Sequence, residues 1–406
     1  AAGILFISQI QDTTLIPFKY ISGYSKSGIP AIHLNNNIAD NILKKAGTSR
    51  KLIQNKMNRL LKPLSFNIPS VRISASVELK NIYSRAANVI GEIVSRNHRY
   101  RDEYIVIGAH FDHLGYGGPG SGSLKPDTSA IHNGANDNAS GIAGLLELAH
   151  KLQSNRQLLK RSILFVGFDA EEKGLLGSKY FVASPPIEKN NIVAMINMDM
   201  IGKMKDSTAM IGGVGTSPMF KPLLDSLSKV SNIKLEYDQA GYGPSDHASF
   251  YAEDIPVLFF FTSDYSNHYH LPEDDWQDIN ASGEKQILEI IYKTVIDLSR
   301  NEKKPAFTIS GPKKRPTQRY NQKVKMGIMP HYGSTVEGLK VDKIYDSSGA
   351  AAKAGIRSGD IIKSINKKPI KDIYEYMKRM EEIKPGQSIP IDIKRDGKII
   401  MLTVRF

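Results

Sequence analysis

Two histidines and three carboxylates stand beside predicted strand ends and helix starts in the middle of this 406-residue chain. Imidazole nitrogens and carboxylate oxygens, without a thiolate, are donors that suit zinc, with cobalt or manganese as alternatives. The five residues are His110, Asp137, Glu172, Asp199 and His270. They exceed one tetrahedral site, and they fit two metal ions about 3.5–4 Å apart with one carboxylate between them.

Taken singly, each of these residues also has a structural interpretation. Asp137 could cap a helix, Asp199 could close a turn, and His270 could lie in a surface loop. Glu171 and Glu172 could be a solvated pair. The metal hypothesis depends on the five donors sharing one edge of a sheet, because ligands of open α/β sheets bind at the carboxyl ends of the strands.

The surrounding elements predict an α/β fold with a doubly wound, mostly parallel sheet over residues 71–302. Near-continuous apolar strands such as YIVIGAH and NIVAMINMD alternate there with amphipathic helices. Residues 1–70 are typical of a small α/β segment, and residues 303–322 of a linker. Residues 323–406 predict a β-rich module with one strong helix, IYEYMKRMEEI.

Composition excludes several classes of protein. The chain has no cysteine, which excludes disulfides, thiolate metal sites and a cysteine nucleophile. Its net charge of +13 arises from scattered Lys and Arg residues, which indicate a solvated surface and no nucleic-acid site. No apolar run reaches membrane-spanning length. The chain opens on a strand-like run without a targeting pattern, and we expect further residues upstream in the full protein.

Six motifs within residues 71–302 resemble the di-zinc aminopeptidases related to bacterial leucyl aminopeptidases and to glutamate carboxypeptidase II. They are GAHFDHLG, NGANDNASG, DAEEKGLLGS, NMDMIG, GYGPSDHASF and HLPEDD. The resemblance implies the zinc-exopeptidase fold and two zinc ions per chain. Position by position, it implies that His110 and Asp199 are terminal ligands of one zinc, that Glu172 and His270 are those of the other, and that Asp137 bridges them.

The same resemblance implies roles for three further residues. Glu171 matches the general base, and Asp112 matches an aspartate that orients the imidazole of His110. Tyr242 matches a tyrosine that stabilises the developing oxyanion, although a tyrosine packed on the cleft rim is an equal interpretation. His113 is interpreted as a loop residue near the cleft without a ligand role. Four other polar residues are interpreted as structural or receive no role: His132, Asp246, His247 and His268.

The flanking segments resemble two further domain families. Residues 1–70 resemble the latter part of a protease-associated domain. Residues 323–406 resemble a PDZ domain through MGIM and AAKAGIRSGDIIKSINKKPI. A PDZ domain captures a terminal carboxylate and adds the peptide as a strand, so a peptide C-terminus or a protein partner is expected there. A purely structural PDZ domain is the alternative.

Together these features predict a metallo-aminopeptidase that releases N-terminal residues from peptides by attack of metal-activated water. A carboxypeptidase or dipeptidase of the same fold is the closest alternative. The six motifs contain no Arg to clamp a substrate carboxylate, which favours the aminopeptidase. A glutaminyl cyclase and a non-catalytic peptide-binding scaffold are further alternatives. The family's habit implies export to a bacterial periplasm or to the cell exterior.

Overall fold

The computed structural model describes most of the chain and divides it into two compact units. The described residues are 2–7, 15, 28–69, 71–78, 84–231, 233–262, 268–313, 324–330, 338–371 and 373–406. The units are Ala1–Arg85 and Ala86–Phe406. Within the described ranges, no helix combines the length and the apolar character needed to cross a membrane.

The first unit contains two short parallel strands followed by two helices. They are β1 (Ile4–Ile7), β2 (Ala31–Leu34), α1 (Asn36–Lys45) and α2 (Arg50–Leu60). The side chain of Asn35 accepts a hydrogen bond from the first turn of α1, and Ser49 does the same for α2. Gly47 adopts a left-handed conformation just beyond α1, as glycine often does after the end of a helix. Residues 8–14 and 16–27 of the predicted protease-associated segment lie outside the described residues.

The second unit contains a seven-stranded mixed sheet with the order β3-β5-β4-β6-β9-β7-β8. Its strands are β3 (Val89–Ile93), β4 (Tyr104–His110), β5 (Ser162–Phe168), β6 (Ile192–Met198), β7 (Thr208–Gly212), β8 (Lys234–Tyr237) and β9 (Val257–Phe261). The central neighbours β5, β4, β6 and β9 run parallel, whereas β3 and β7 pair antiparallel with β5 and β9. The predicted mostly parallel sheet is therefore confirmed, with two antiparallel pairings.

Helices cover both faces of this sheet. They are α3 (Ser140–Ser154), α4 (Leu176–Ala183), α5 (Phe220–Ser228), α6 (His247–Ala252) and α7 (Ala281–Arg300). Alternation along β4 sends Ile105 and Ile107 into the larger apolar cluster with α3 and α7, and Val106 into the cluster with α4 and α6. Because both faces are buried, the central strands are apolar at nearly every position, which is the pattern read from the sequence.

The C-terminal module of the second unit is a six-stranded antiparallel sheet with two helices. Its elements are β10 (Ile328–Pro330), β11 (Leu339–Ile344), α8 (Ala350–Ala354), β12 (Ile361–Ile365), β13 (Lys368–Pro369), α9 (Ile373–Glu381), β14 (Ser388–Arg395) and β15 (Lys398–Arg405). A separate apolar cluster fills this module. The helix predicted from the sequence is α9, and the short α8 is an addition to that prediction.

The segment that follows α7 is held to the large sheet domain by hydrogen bonds. The sequence predicts a linker over 303–322. In the described part of it, the hydroxyl of Tyr251 contacts the backbone of Ser310, and the amide of Gly241 donates to the Ser310 carbonyl at 2.8 Å. Residues 314–323 lie outside the described residues. We therefore assign the first part of the predicted linker to the sheet domain.

A pair of truncations tests this assignment. A chain ending at Lys313 keeps the contacts of Tyr251 and the packing of Phe307 on the core, whereas a chain ending at Glu302 loses them. We expect the shorter chain to have a melting temperature lower by about 5 °C or more, since a few kcal/mol of burial and hydrogen bonding are removed. Equal melting temperatures of the two truncated chains, measured by calorimetry, would contradict the assignment of residues 303–313 to the sheet domain.

Candidate metal centre

The donors predicted from the sequence lie together at the carboxyl ends of adjacent parallel strands. His110 is the last residue of β4, and Glu172 follows β5. Asp199 follows β6, and His270 lies in the loop after β9. Asp137 lies in the Ala135–Ala139 turn that leads into α3. Parallel strands with adjacent ends bring these side chains to one place, as expected for an open α/β sheet.

The first donor group contains His110, Asp137 and Asp199. Nε2 of His110 lies 3.3 Å from Oδ1 of Asp137 and 3.4 Å from Oδ1 of Asp199. His110 is almost fully buried, with 1% of its surface exposed, and Asp137 is buried beside it. Three donor atoms from these residues lie within 4.8 Å of one another. The group is therefore compact enough to hold one metal ion.

The second donor group shares Asp137 with the first. Nε2 of His270 lies 3.3 Å from Oε2 of Glu172 and 3.4 Å from Oδ2 of Asp137. The two carboxylate oxygens of Asp137 thus face different histidines, Oδ1 towards His110 and Oδ2 towards His270. This is the arrangement that a bridging carboxylate requires between two metal ions.

The separations of these atoms fit metal ligands better than direct hydrogen bonds. Four nitrogen–oxygen pairs are 3.3–3.4 Å apart, each longer than a good N–H···O hydrogen bond. Ligands on a tetrahedral zinc ion, with bonds of about 2.0–2.1 Å, are about 3.3–3.4 Å apart. Oδ1 of Asp199 is buried and receives no hydrogen bond from any described residue. A buried acceptor of this kind is satisfied by a bound cation.

The electrostatics of the cluster also favour cations between its carboxylates. Burial disfavours the charged form of His110, but the negative charge of Asp199 raises the pKa of His110 well above its usual value. Burial also disfavours the charged form of His270, but the Asp137 and Glu172 carboxylates outweigh it and raise the pKa of His270 to about 10. Burial alone would raise the pKa of Asp137, but the neighbouring His110 and His270 rings hold this pKa well below its usual range. The site therefore stabilises positive charge next to buried carboxylates.

Sequence comparisons place this site in a known family. Residues 88–295 match Peptidase family M28, which is just over half of the chain. The chain belongs to Peptidase family M28. Residues 319–406 match the PDZ domain, so the C-terminal module is a PDZ domain. Below, the sheet domain is called the M28 domain.

Individual relatives cover only part of the chain. "Aminopeptidase YwaD" of Bacillus subtilis is 27% identical over 243 residues, covering 57% of this chain and 49% of its own. "Leucine aminopeptidase 1" of Leptosphaeria maculans is 29% identical over 204 residues, covering 46% and 49%. The chain thus spans about half the length of these curated relatives. An aminopeptidase structure from Aneurinibacillus sp. strain AM-1 aligns at 28% identity with a TM-score of 0.44, covering 55% of this chain and 50% of that one.

In the M28 domain, the loop of His110 also fixes the loop of Glu172. The Asp112 carboxylate accepts hydrogen bonds from the backbone amides of Glu171 and Glu172, at 2.9 and 3.2 Å. Nδ1 of His110 lies 3.0 Å from the backbone carbonyl of Asp112 and 3.7 Å from its carboxylate. The imidazole is thus oriented mainly by the carbonyl of Asp112, because the carboxylate of this residue is occupied by the two amides.

The loop of His270 fixes the loop of Asp137 in the same way. The carboxylate of Asp274 accepts hydrogen bonds from the amides of Asn136 and Asp137, at 2.9 and 3.0 Å. Its other oxygen forms a buried ion pair with Nζ of Lys203 at 2.8 Å. Asp274 is the fifth residue of the HLPEDD motif, where its spacing from His270 matches the family pattern, and no local pattern predicts a role for Lys203. Both are positioning residues for the shared carboxylate.

The Lys203–Asp274 pair leads to a prediction about stability. Asp274→Ala removes the closer partner of the buried Lys203 ammonium, which keeps only Asp278 at 3.6 Å, and it frees two buried amides. We expect a loss of about 3–5 kcal/mol in the free energy of unfolding, measured in urea without added metal. The control is Glu253→Ala, which breaks a pair with Lys189 whose side chains are about 40% exposed and should cost no more than about 1 kcal/mol. Equal losses in the two variants would contradict this role.

Glu171 lies beside the donor groups but belongs to neither. Burial, partly offset by His110, raises its pKa well above the usual value for a glutamate, and the nearby Asp199 carboxylate adds to the effect. Its backbone amide is held by Asp112. A carboxylate with a raised pKa is a stronger proton acceptor once it is ionised, and the role of Glu171 as the general base stays a prediction.

The motif GYGPSDHASF contributes mainly to the core behind the site. Tyr242 is half-buried against the aromatic cluster of α4 and α6, and its role at an oxyanion stays a prediction. The ring of His247 stacks on Phe259 at 4.3 Å, and burial lowers its pKa to about 3. Asp246 is buried, and burial raises its pKa to about 7. His247 and Asp246 therefore occupy core positions.

The remaining histidines differ in their distance from the donors. Nδ1 of His268 lies 2.7 Å from Asp278, outside both donor groups. His132 is buried and is bonded to Ala130 and Ser123. His113, which the sequence analysis left without a ligand role, lies 2.9 Å from Glu172. Its place directly after Asp112 was the only sequence signal for this contact.

Proposed function

We propose that the M28 domain is a zinc-dependent aminopeptidase with two metal ions. The observation that carries this proposal is the position of Asp137, whose two oxygens face two separate donor groups. The donors are imidazoles and carboxylates with no thiolate, which suits zinc. The relatives described above carry the name aminopeptidase.

The chain's own residues would contribute as follows. Two zinc ions bound at this centre would polarise the scissile carbonyl and lower the pKa of a bound water. Glu171 takes a proton from the attacking water and gives it to the leaving amine. Asp112 and Asp274 keep the loops of Glu172 and Asp137 in place through their backbone amides. Tyr242 donates a hydrogen bond to the developing oxyanion.

A panel of dipeptide substrates tests the reaction class. With zinc present, we expect hydrolysis of aminoacyl-amides and of dipeptides with a blocked C-terminus, and no hydrolysis of dipeptides with a blocked N-terminus. The opposite preference would support a carboxypeptidase, and cleavage only of free dipeptides a dipeptidase. Cyclisation of an N-terminal glutaminyl substrate would support a glutaminyl cyclase. No turnover of any substrate by metal-loaded protein would support a binding scaffold.

We also propose that the PDZ domain binds extended peptides. Strand β10 lies at the end of the sheet order and pairs with β11 on one side, so a peptide can add as a further strand. The partner is a peptide C-terminus or a protein that presents one. Binding of C-terminal peptides, absent when the terminal carboxylate is amidated, is the expected result in fluorescence titrations. Equal binding of amidated peptides, or none at all, would favour a structural role.

Two further features are proposals from the resemblance. Residues 1–70 would be part of a protease-associated domain. The M28 domain would run over 71–302 together with the bonded segment up to Lys313, and the PDZ domain over 323–406. The protein would be exported to a bacterial periplasm or to the cell exterior. Cell fractionation of the source organism tests the location, and recovery in the cytosolic fraction would contradict it.

A further inference from the structure

His113 makes a close contact with Glu172 that the five-ligand arrangement does not need. Its Nδ1 lies 2.9 Å from Oε1 of Glu172, while Oε2 of the same carboxylate faces His270 at 3.3 Å. His113, Asp137 and Glu172 have donor atoms within 4.8 Å of one another, so proximity alone would also admit His113 as a metal ligand. The distances distinguish a metal ligand from a hydrogen-bond partner of Glu172.

The contact with Glu172 has the length of a hydrogen bond. The four pairs assigned to the metals are 3.3–3.4 Å apart, as ligands of one tetrahedral ion should be. His113 is closer than this to Glu172, at 2.9 Å, and farther than this from Oδ2 of Asp137, at 4.0 Å. An ionised carboxylate only accepts hydrogen bonds, so Nδ1 of His113 carries the proton.

The ring of His113 is held in a fitted position. Its side chain is about 10% exposed, and it meets the His270 ring edge to face with centroids 5.8 Å apart. A Cβ atom at Gly134 would come within 2.8 Å of the ring, so this glycine gives the imidazole its space. Gly134 also has a φ of 63°, which a side chain would strain. The ring therefore has little freedom to turn away from Glu172.

We propose that His113 is a positioning residue that holds Oε1 of Glu172, so that Oε2 alone is presented to the metal. This inference rests on the proposed metal centre and adds a residue to it. Partners of this kind typically contribute about 10–100-fold to metal affinity. The effect should be confined to the Glu172–His270 site. Among the described residues, His113 forms ion-pair contacts with Asp137 and Glu172 but not with Asp199.

Zinc affinity of the full chain, measured by competition with a chelator, tests the role directly. We expect His113→Ala to weaken one of two zinc equivalents by about 10–100-fold and to leave the other unchanged. We expect His113→Asn to restore most of the affinity, since the amide nitrogen of Asn can replace the Nδ1–H donor. His132→Ala is the control, because it removes a neighbouring buried ring that bonds only to Ala130 and Ser123 in the described contacts. This control should bind zinc like the wild type.

A double-variant cycle locates the effect. In a Glu172→Ala background, which has no side-chain oxygen for His113 to hold, His113→Ala should cause no further loss of zinc affinity. The absorption spectrum of the cobalt-substituted protein should be the same for the wild type and His113→Asn.

Three outcomes would overturn the proposal. If His113→Asn binds zinc as weakly as His113→Ala and changes the cobalt spectrum, then His113 is a ligand. If His113→Ala binds like the wild type, or if its loss adds to that of Glu172→Ala, then His113 does not position Glu172. Failure of the wild type to bind two zinc equivalents would instead contradict the metal centre itself.

Discussion

Glu171→Gln is expected to lower turnover by at least about 10²–10⁴-fold while the zinc content stays at the wild-type level. The amide keeps the size of the side chain but cannot accept a proton from water. Glu171 belongs to neither donor group, and its backbone is held by Asp112 whatever its side chain. The loss should fall on kcat, with KM little changed, because binding of the substrate is retained. Zinc analysis and steady-state kinetics on the same sample give both values.

Glu172→Gln is the matched control, one residue away. Oε2 of Glu172 faces His270 in the second donor group, so this change should weaken one zinc and leave the other. Added zinc should recover part of the activity of Glu172→Gln and none of the activity of Glu171→Gln. If the two variants exchange these phenotypes, the roles of base and ligand must be exchanged.

The pH profile of the same variants gives an independent reading. A base must be ionised to accept a proton, so turnover of the wild type falls on the acidic side as Glu171 and the bound water become protonated. This acidic limb should flatten in Glu171→Gln, whose side chain does not titrate. An unchanged acidic limb in this variant would assign the limb to other groups of the site.

Asp137→Ala is expected to remove both zinc ions and, with them, all measurable aminopeptidase activity. Its two oxygens belong to different donor groups, so one substitution takes a ligand from each site. It also removes the carboxylate whose pKa the His110 and His270 rings lower, and leaves these rings without a shared anionic partner. Zinc per chain, measured after dialysis by atomic absorption, should fall from about two to near zero.

His110→Ala is the control for this prediction. His110 contacts Asp137 and Asp199 but not Glu172 or His270, so this variant should retain about one zinc. A single tightly bound zinc in the wild type, with Asp199→Ala without effect, would contradict the dinuclear assignment. Retention of one zinc by Asp137→Ala would show that this residue does not bridge the two sites.

The sequence predicted the parts of the site that depend on local patterns. His110, Asp199 and the pair after β5 each follow an apolar run, so their place at the sheet edge follows from strand periodicity. Asp137 and His270 lie in loops, and they were assigned through the motifs around them. The structure brings all five donors together.

What the sequence left open depends on contacts between distant segments. His113 and Glu172 are 59 residues apart, and Lys203 and Asp274 are 71 residues apart. No local pattern states which carboxylate a histidine will reach across two loops. The orientation of His110 by the carbonyl of Asp112 was also missed, since a backbone acceptor leaves no trace in residue type.

The same reasoning applies to the fold. The buried parallel strands were predicted because both of their faces are apolar. The antiparallel pairings of β3 and β7 depend on long-range register and could not be read from composition. The helix α8 has five residues, which is too short for a helical period to be recognised. The attachment of Ser310 to Tyr251 depends on where the chain returns after α7.

Zinc titration of metal-depleted protein, followed by hydrolysis of an aminoacyl-amide, tests whether the M28 domain is an aminopeptidase that needs two zinc ions. We expect no activity without metal, and full activity only when the second equivalent of zinc is bound. We also expect that the N-acetylated form of the same substrate is not cleaved at any zinc concentration. Full activity at one equivalent of zinc, or equal cleavage of the acetylated substrate, would contradict a dinuclear aminopeptidase.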